Sequence, residues 1–273
     1  INDKKIAITD SLSNIYLIDL ITGKLIWKKK ESSAFNSQIK IHKNKLYSVD
    51  LNNTLKCLSL DTGKELWQYK SESTLIKSTN KISLVIFKNK IIFLNSVGDL
   101  NALDLDNGNL LWQSPLINSS VYEDTFSSIF SLLVLNENSI YVSNNKNEFF
   151  SINANTGVVK WRKKINSTLT PIIAEDLIFT VTLEGLLVLL NKKNGNLIRA
   201  TKVINNIEKT KISGFLLTRN NIYISANSNL VRIENNSGQF KELRKISRSA
   251  ISKPFIFDKQ IFIITDRFIK KYK

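Results

Sequence analysis

The 273-residue sequence predicts an all-β chain, a β-propeller of four-stranded blades about seven in number, and three observations carry that prediction. A short turn ending in Gly recurs six times, at Gly23, Gly63, Gly108, Gly157, Gly195 and Gly238. All four tryptophans, Trp27, Trp67, Trp112 and Trp161, stand four residues after the first four of these glycines. Between the turns lie short runs rich in Ile, Val, Tyr and Phe, separated by polar breaks.

The units align without gaps. The first reads "KIAITDSLSNIYLIDLITGKLIWKKK" from Lys5, and the second "KLYSVDLNNTLKCLSLDTGKELWQYK" from Lys45. Four more begin at Lys90, Ser139, Leu177 and Asn221, and a partial seventh, "QIFIITDRFIKKYK", begins at Gln260. Glycine-to-glycine spacings of 40, 45, 49, 38 and 43 residues match the length of a propeller blade. Within a unit, runs such as "KIIFL" and "NIYISA" are strands, and breaks such as "DLNN", "SVGD" and "NNKN" are tight hairpins. The Gly turn supplies a second reversal, and the strand after it carries the Trp. Upstream of each hairpin a further apolar run ("SQIKI", "ISLVIF", "FSLLVL", "LTPIIA", "GFLLT", "SKPFIF") completes four strands. A lone sheet cannot cover both its faces, so the units must stack. A Trp placed just after a tight turn packs across to the next blade and fastens it. The first unit starts at its second strand and the last stops at its third, so residues upstream of Ile1 are expected to supply closing strands to a single domain spanning 1–273.

Composition narrows the function. Lys and Arg number 39 against 23 Asp and Glu, a net charge of +16. Such a balance suits nucleic acid, an anionic membrane or an acidic partner. Its clusters ("WKKK", "WRKK", "FIKKYK") are short and lack the interleaved aromatics of a base-stacking platform, so scattered surface lysines account for most of it. No run approaches a membrane span. Cys57 is the only cysteine and His42 the only histidine, too few for a disulfide or a His/Cys zinc site. Cys57, inside an apolar run, reads as a small core residue.

At the turns the chain resembles the pyrroloquinoline-quinone-like (PQQ-like) propeller repeat, whose motif is Ala-x-Asp-x-x-Thr-Gly-x-x-x-Trp. "ALDLDNGNLLW", Ala102 to Trp112, follows it with Asn for Thr, and "SINANTGVVKW", Ser151 to Trp161, with Ser for Ala and Asn for Asp. The Asp position holds Asp19, Ser59, Asp104, Asn153, Asn191 and Glu234, all but the last suited to a short polar turn contact. Arg199 and Glu242 occupy the Trp position of the fifth and sixth units, whose junctions must be fastened otherwise. The repeat serves two branches. One is the quinoprotein dehydrogenases, with a quinone, a Ca²⁺ and often an adjacent-cysteine disulfide. The other is the non-enzymatic BamB family of the outer-membrane protein assembly machinery. This chain has no Cys-Cys pair and no carboxylate cluster of Ca²⁺ type, and it resembles the BamB branch in size and blade pattern.

That resemblance implies a monomeric, non-catalytic scaffold without cofactor or metal, binding a protein partner, the barrel-assembly subunit. It implies a place on the periplasmic side of a bacterial outer membrane, held there only through a lipid anchor upstream, and no nucleic acid. The blade-docking residues are Trp27, Trp67, Trp112 and Trp161 with Gly23, Gly63, Gly108 and Gly157. The longest spacing contains "INSSVYEDTFSSIF", and its Tyr122, Glu123, Asp124 and Phe126 are the candidate partner loop, with an idle connection as the alternative. A second candidate is "NNIEKTK", residues 205–211. Two alternatives stay open: a quinone-dependent dehydrogenase, and a basic surface for nucleic acid or an anionic membrane.

Overall fold

The computed structural model describes residues 4–72, 81–117, 128–204 and 210–272. Among them there is no helix longer than a turn, and every regular element is a β-strand. The first sheet is β1 (Lys5–Thr9), β2 (Asn14–Asp19) and β3 (Leu25–Lys30). The second is β4 (Lys40–His42), β5 (Lys45–Val49), β6 (Thr54–Ser59) and β7 (Glu65–Lys70). The third is β8 (Leu84–Phe87), β9 (Lys90–Leu94), β10 (Asp99–Asp104) and β11 (Leu110–Pro115). The fourth is β12 (Val134–Asn136), β13 (Ser139–Ser143), β14 (Phe149–Asn153) and β15 (Val159–Lys163). The fifth is β16 (Ile172–Ala174), β17 (Leu177–Val181), β18 (Leu186–Asn191) and β19 (Leu197–Lys202). The sixth is β20 (Ile212–Leu217), β21 (Asn221–Ala226), β22 (Asn229–Glu234) and β23 (Phe240–Lys245), and the last β24 (Phe255–Phe257), β25 (Gln260–Ile264) and β26 (Ile269–Tyr272). Each sheet runs in simple sequence order, so every connection within it is a hairpin.

The chain divides into two compact units, Ile1–Ile140 with Ile152–Val159, and Tyr141–Ser151 with Lys160–Lys273. In the first unit, the second sheet shows why its strands read as nearly continuous apolar runs. Successive side chains point to opposite faces. Leu46 and Leu58 join Ile15 and Leu17 of the first sheet in one core. Their neighbours Tyr47, Val49, Leu55 and Cys57 join Leu84, Ile91, Phe93 and Leu103 of the third sheet in another. Both faces are covered, so the middle strands are mostly apolar and even their polar residues, Ser48, Thr54 and Lys56, are buried. The second unit repeats this. Phe179, Leu187 and Leu189 pack with Phe215, Ile222, Ile224 and Val231, while Tyr223 and Leu230 on the other face meet Ile251 and Ile263.

The hairpin that carries the Gly turn has a β-bulge, seen in the first, second, third, fifth and sixth sheets. In the second sheet Cys57 pairs with Trp67 but Leu58 pairs with Glu65, which leaves Leu66 as the extra residue. Pairing shifts by one there, so residues on either side of the bulge answer to opposite faces of the neighbouring strand. The bulged residues Ile26, Leu66, Leu111 and Ile198 are exposed, and the residue after each turns inward.

Candidate functional site

The most regularly built feature is the contact between one sheet's last strand and the next sheet's turn. Each turn is closed by its Gly N–H donating to the carbonyl four residues back, as Gly108 does to Asp104 at 3.0 Å. The side chain at the Asp position holds the loop from inside. Asp104 Oδ1 accepts from the amides of Asp106 and Asn107, and Asp19 Oδ1 from those of Ile21 and Thr22. Asn153 and Asn191 make the same kind of contact, Ser59 a longer one at 3.4 Å, and Glu234 instead takes the hydroxyl of Ser237. A short side chain reaches its own turn amides; Glu is too long.

The glycines are needed twice over, as Gly108 illustrates. Its φ of +74° disfavours any side chain, and a Cβ there would lie 2.5 Å from Cε3 of Trp67. The indole of one sheet lies directly on the next sheet's turn. The same holds for Trp27 on Gly63, Trp112 on Gly157 and Trp161 on Gly195. Gly23 shares the conformation, φ +69°, but has nothing within 4 Å of such a Cβ. All four tryptophans are half-buried. Trp27 Nε1 donates to Leu60 O at 2.9 Å and Trp161 Nε1 to Lys192 O at 3.2 Å, in each case the carbonyl three residues before the seating glycine. The equivalent carbonyl for Trp67, Leu105 O, is taken by the Tyr47 hydroxyl at 3.1 Å, and Trp67 Nε1 is left without a partner. The Tyr47 and Trp67 rings are 5.8 Å apart.

Where the tryptophans end, other chemistry occupies the seat. Arg199 Nη2 donates to Asn235 O at 2.6 Å, the carbonyl three residues before Gly238, and its other terminal nitrogen donates to Asn236 O. The guanidinium thus reproduces the indole hydrogen bond and adds a second. Glu242 instead accepts from the Tyr272 hydroxyl at 3.1 Å and pairs with Arg232 at 3.3 Å.

Two buried groups test for reactive chemistry. Cys57 is fully buried, and burial pushes its thiol up to about 11, which leaves it protonated at neutral pH. Glu31 bridges Lys29 at 2.6 Å and the buried Lys56 at 2.5 Å. Burial alone would raise its carboxyl, but hydrogen bonds from the two ammonium groups carry it below the ordinary value. These three groups form a structural charge cluster. Among the described residues no three or more His, Cys, Asp and Glu side chains gather where they could hold a metal ion. Tyr122, Glu123, Asp124 and Phe126 lie outside the described residues, as do 205–209 of the second loop candidate.

Sequence reasoning missed a cleft of about 500 Å³ between β15 and the fifth sheet, floored by Leu186, Val188 and Leu190 and rimmed by Lys163, Lys164 and Glu184. Its only sequence signal is the alternation in "LLVLLN", which also describes a core strand.

Repeated four-stranded antiparallel sheets, joined through a Gly turn and an aromatic seat, define a β-propeller protein of the PQQ-like repeat class. The chain belongs to the family of the outer membrane protein assembly factor BamB, whose family model matches residues 2–201. Among solved structures it is similar to BamB from Moraxella catarrhalis, with a TM-score of 0.81 and 15% identity over 96% of this chain and 80% of that one. A europium-containing methanol dehydrogenase matches with a TM-score of 0.77 and 11% identity, over 96% and 73%. The computationally designed Ika8 protein matches with a TM-score of 0.62 and 12% identity, over 100% and 94%. A search of curated protein sequences returned no match.

Proposed function

We propose that the chain is a β-propeller of about seven blades, seven or eight in the intact protein, that acts as a non-catalytic scaffold, binding another protein during assembly of outer-membrane β-barrels on the periplasmic side of that membrane. The observation that carries this reading is the BamB family match over residues 2–201. Trp27, Trp67, Trp112 and Trp161, seated on Gly63, Gly108, Gly157 and Gly195, serve as blade-docking residues, and Gly23 shapes its own turn. With the sheets committed to packing on both faces, partner recognition falls to loops. Tyr122, Glu123, Asp124 and Phe126 form the preferred contact, because they lie in the longest interval between turns and offer two aromatic anchors beside two carboxylates.

Affinity capture from the native cell envelope tests both parts. The full chain is expected to recover the barrel-inserting subunit, and Tyr122→Ala with Phe126→Ala to lose it at an unchanged melting temperature. Recovery of no such subunit overturns the scaffold reading; equal recovery by the double variant overturns the loop assignment.

The fold likeness to a methanol dehydrogenase favours a second reading, a quinone-dependent enzyme. A ligand bound only by the folded state must raise its melting temperature. The scaffold reading expects no shift when pyrroloquinoline quinone is added with Ca²⁺ or a lanthanide ion. A shift of several degrees selects the enzyme.

A further inference from the structure

The cleft between β15 and the fifth sheet has two counterparts in the first unit, and there the chain's own side chains occupy that level of the junction. Strand pairing fixes the equivalence. Val188 pairs with Ala200 beside the bulge, where the second and third sheets pair Lys56 with Gln68 and Asn101 with Gln113. From the preceding sheet come the residues two and four places after its Trp. These are Lys29 and Glu31 after Trp27, Tyr69 and Ser71 after Trp67, and Lys163 and Ile165 after Trp161.

Between the first and second sheets, Lys56 reaches across to Glu31 at 2.5 Å, and Lys29 joins the same carboxylate at 2.6 Å. Between the second and third, Tyr69 lays its ring on the shared core, edge-on to Phe93 at 6.5 Å. The cleft has neither device. Val188 is too short to cross it, and Ile165 stands where Glu31 would meet a lysine. Lys163, at the place of Lys29 and Tyr69, donates only to the neutral Asn196 Oδ1 at 2.9 Å. Lys164 beside it is exposed and has no ion-pair partner among the described residues. The rim carboxylate, Glu184, is engaged by Asn166 at 2.6 Å. What remains is a space of about 500 Å³, apolar at its floor and bordered at its mouth by Leu197, which is 62% exposed.

The parts that are missing define what fits. A ring covers the apolar floor as Tyr69 covers its own junction, and a carboxylate meets Lys163 and Lys164 as Glu31 meets Lys29. We propose that the cleft receives an aromatic side chain of a partner protein, with an Asp or Glu next to it in the partner's sequence. Two lysines against one engaged carboxylate give the rim the complementary charge. A ring sunk in an apolar pocket is the kind of anchor that carries interface energy. The site is argued from the junctions alone; only the identity of the partner rests on the scaffold reading.

The test is a titration of the full chain with the blocked dipeptide acetyl-Tyr-Glu-amide, read as amide chemical shifts. Saturable shifts are expected at residues 163–166 and 186–190, at the roughly millimolar affinity of so small a ligand. Leu for Tyr in the peptide is expected to weaken binding at least about fivefold. Gln for Glu is expected to weaken it about threefold at low salt. Val188→Phe fills the cleft from its floor and is expected to cost at least about tenfold. Leu197→Asp, at the exposed mouth where folding is not at stake, is expected to cost at least about threefold. Absence of saturable shifts at these residues overturns the proposal, as does equal binding of the Tyr and Leu peptides, or parent-like binding by both variants. In the affinity capture above, both variants are expected to recover at least about threefold less of the barrel-inserting subunit. Full recovery by variants that have lost the peptide overturns the assignment to a partner. A parent that captures no such subunit overturns the scaffold reading, and the peptide titration then still decides the cleft.

Discussion

Gly108 and Gly23 have the same backbone conformation and different surroundings, and the difference separates two effects usually confounded. Alanine at Gly23 costs only the left-handed φ, about 1 kcal/mol. Alanine at Gly108 adds a collision with the ring of Trp67, for a total near 3 kcal/mol. Urea unfolding of the two variants reads the gap directly, and equal losses would mean that the indole yields freely. Asp10 makes a second case. It accepts from the amides of Asn14 and Leu12, the Asn14 side chain and the Tyr16 hydroxyl. These bonds, the Asn14 amide foremost, lower its carboxyl to about 2 from an ordinary 3.8. Because the folded value is the lower one, its stabilisation is complete above the unfolded value and lost as pH falls from about 4 towards 2. Asp10→Asn is therefore expected to be less stable than the parent at pH 7, with the gap closing across that window. Melting curves at several pH values check this, and a constant gap would exclude ionisation as its cause.

At the scale of elements, the junctions show one geometry reached by different residues. The repeat motif made the turn glycines and the Trp strand legible, because turn and ring lie within about a dozen consecutive residues. It could not say what replaces Trp at Arg199, since the partners Asn235 and Asn236 are 36 and 37 residues away. Arg199→Ala is expected to destabilise the protein by about 2 to 3 kcal/mol, through two lost charge-assisted hydrogen bonds. Arg199→Trp restores the repeat residue over Gly238 and is expected to stay within about 1 kcal/mol of the parent. Chemical denaturation distinguishes them; an alanine variant as stable as the parent would show that this junction does not depend on its side chain. The bulge was likewise hidden in the sequence. It is a one-residue mismatch between strands, and neither strand alone shows it.

For the whole molecule, the charge of +16 sets a prediction independent of any one contact. Self-repulsion is screened by salt over roughly 10 Å at 0.1 M. The melting temperature is expected to rise by a few degrees between low salt and about 0.15 M. A fall would mean that ion pairs such as Lys56 with Glu31 outweigh the net repulsion. The family match and the fold likeness to BamB agree with the repeat read from the sequence, because repeat count, spacing and turn chemistry are the features such a family shares. The preferred loop at Tyr122 to Phe126 rests on spacing and residue type, since a connection carries no periodicity from which its conformation can be read.

By itself the sequence determined the strands, the turns and their order, because hairpins and Gly turns are specified by neighbouring residues. It also determined that the sheets must stack, because too few polar positions remain in the middle strands for either face to meet water. Only the tertiary structure decided which groups meet across the sheets. Tyr47 takes the carbonyl of Leu105, Arg199 replaces an indole, and cations from two sheets line one cleft. Those pairings join residues tens of positions apart, and their partners are chosen by packing rather than by local preference.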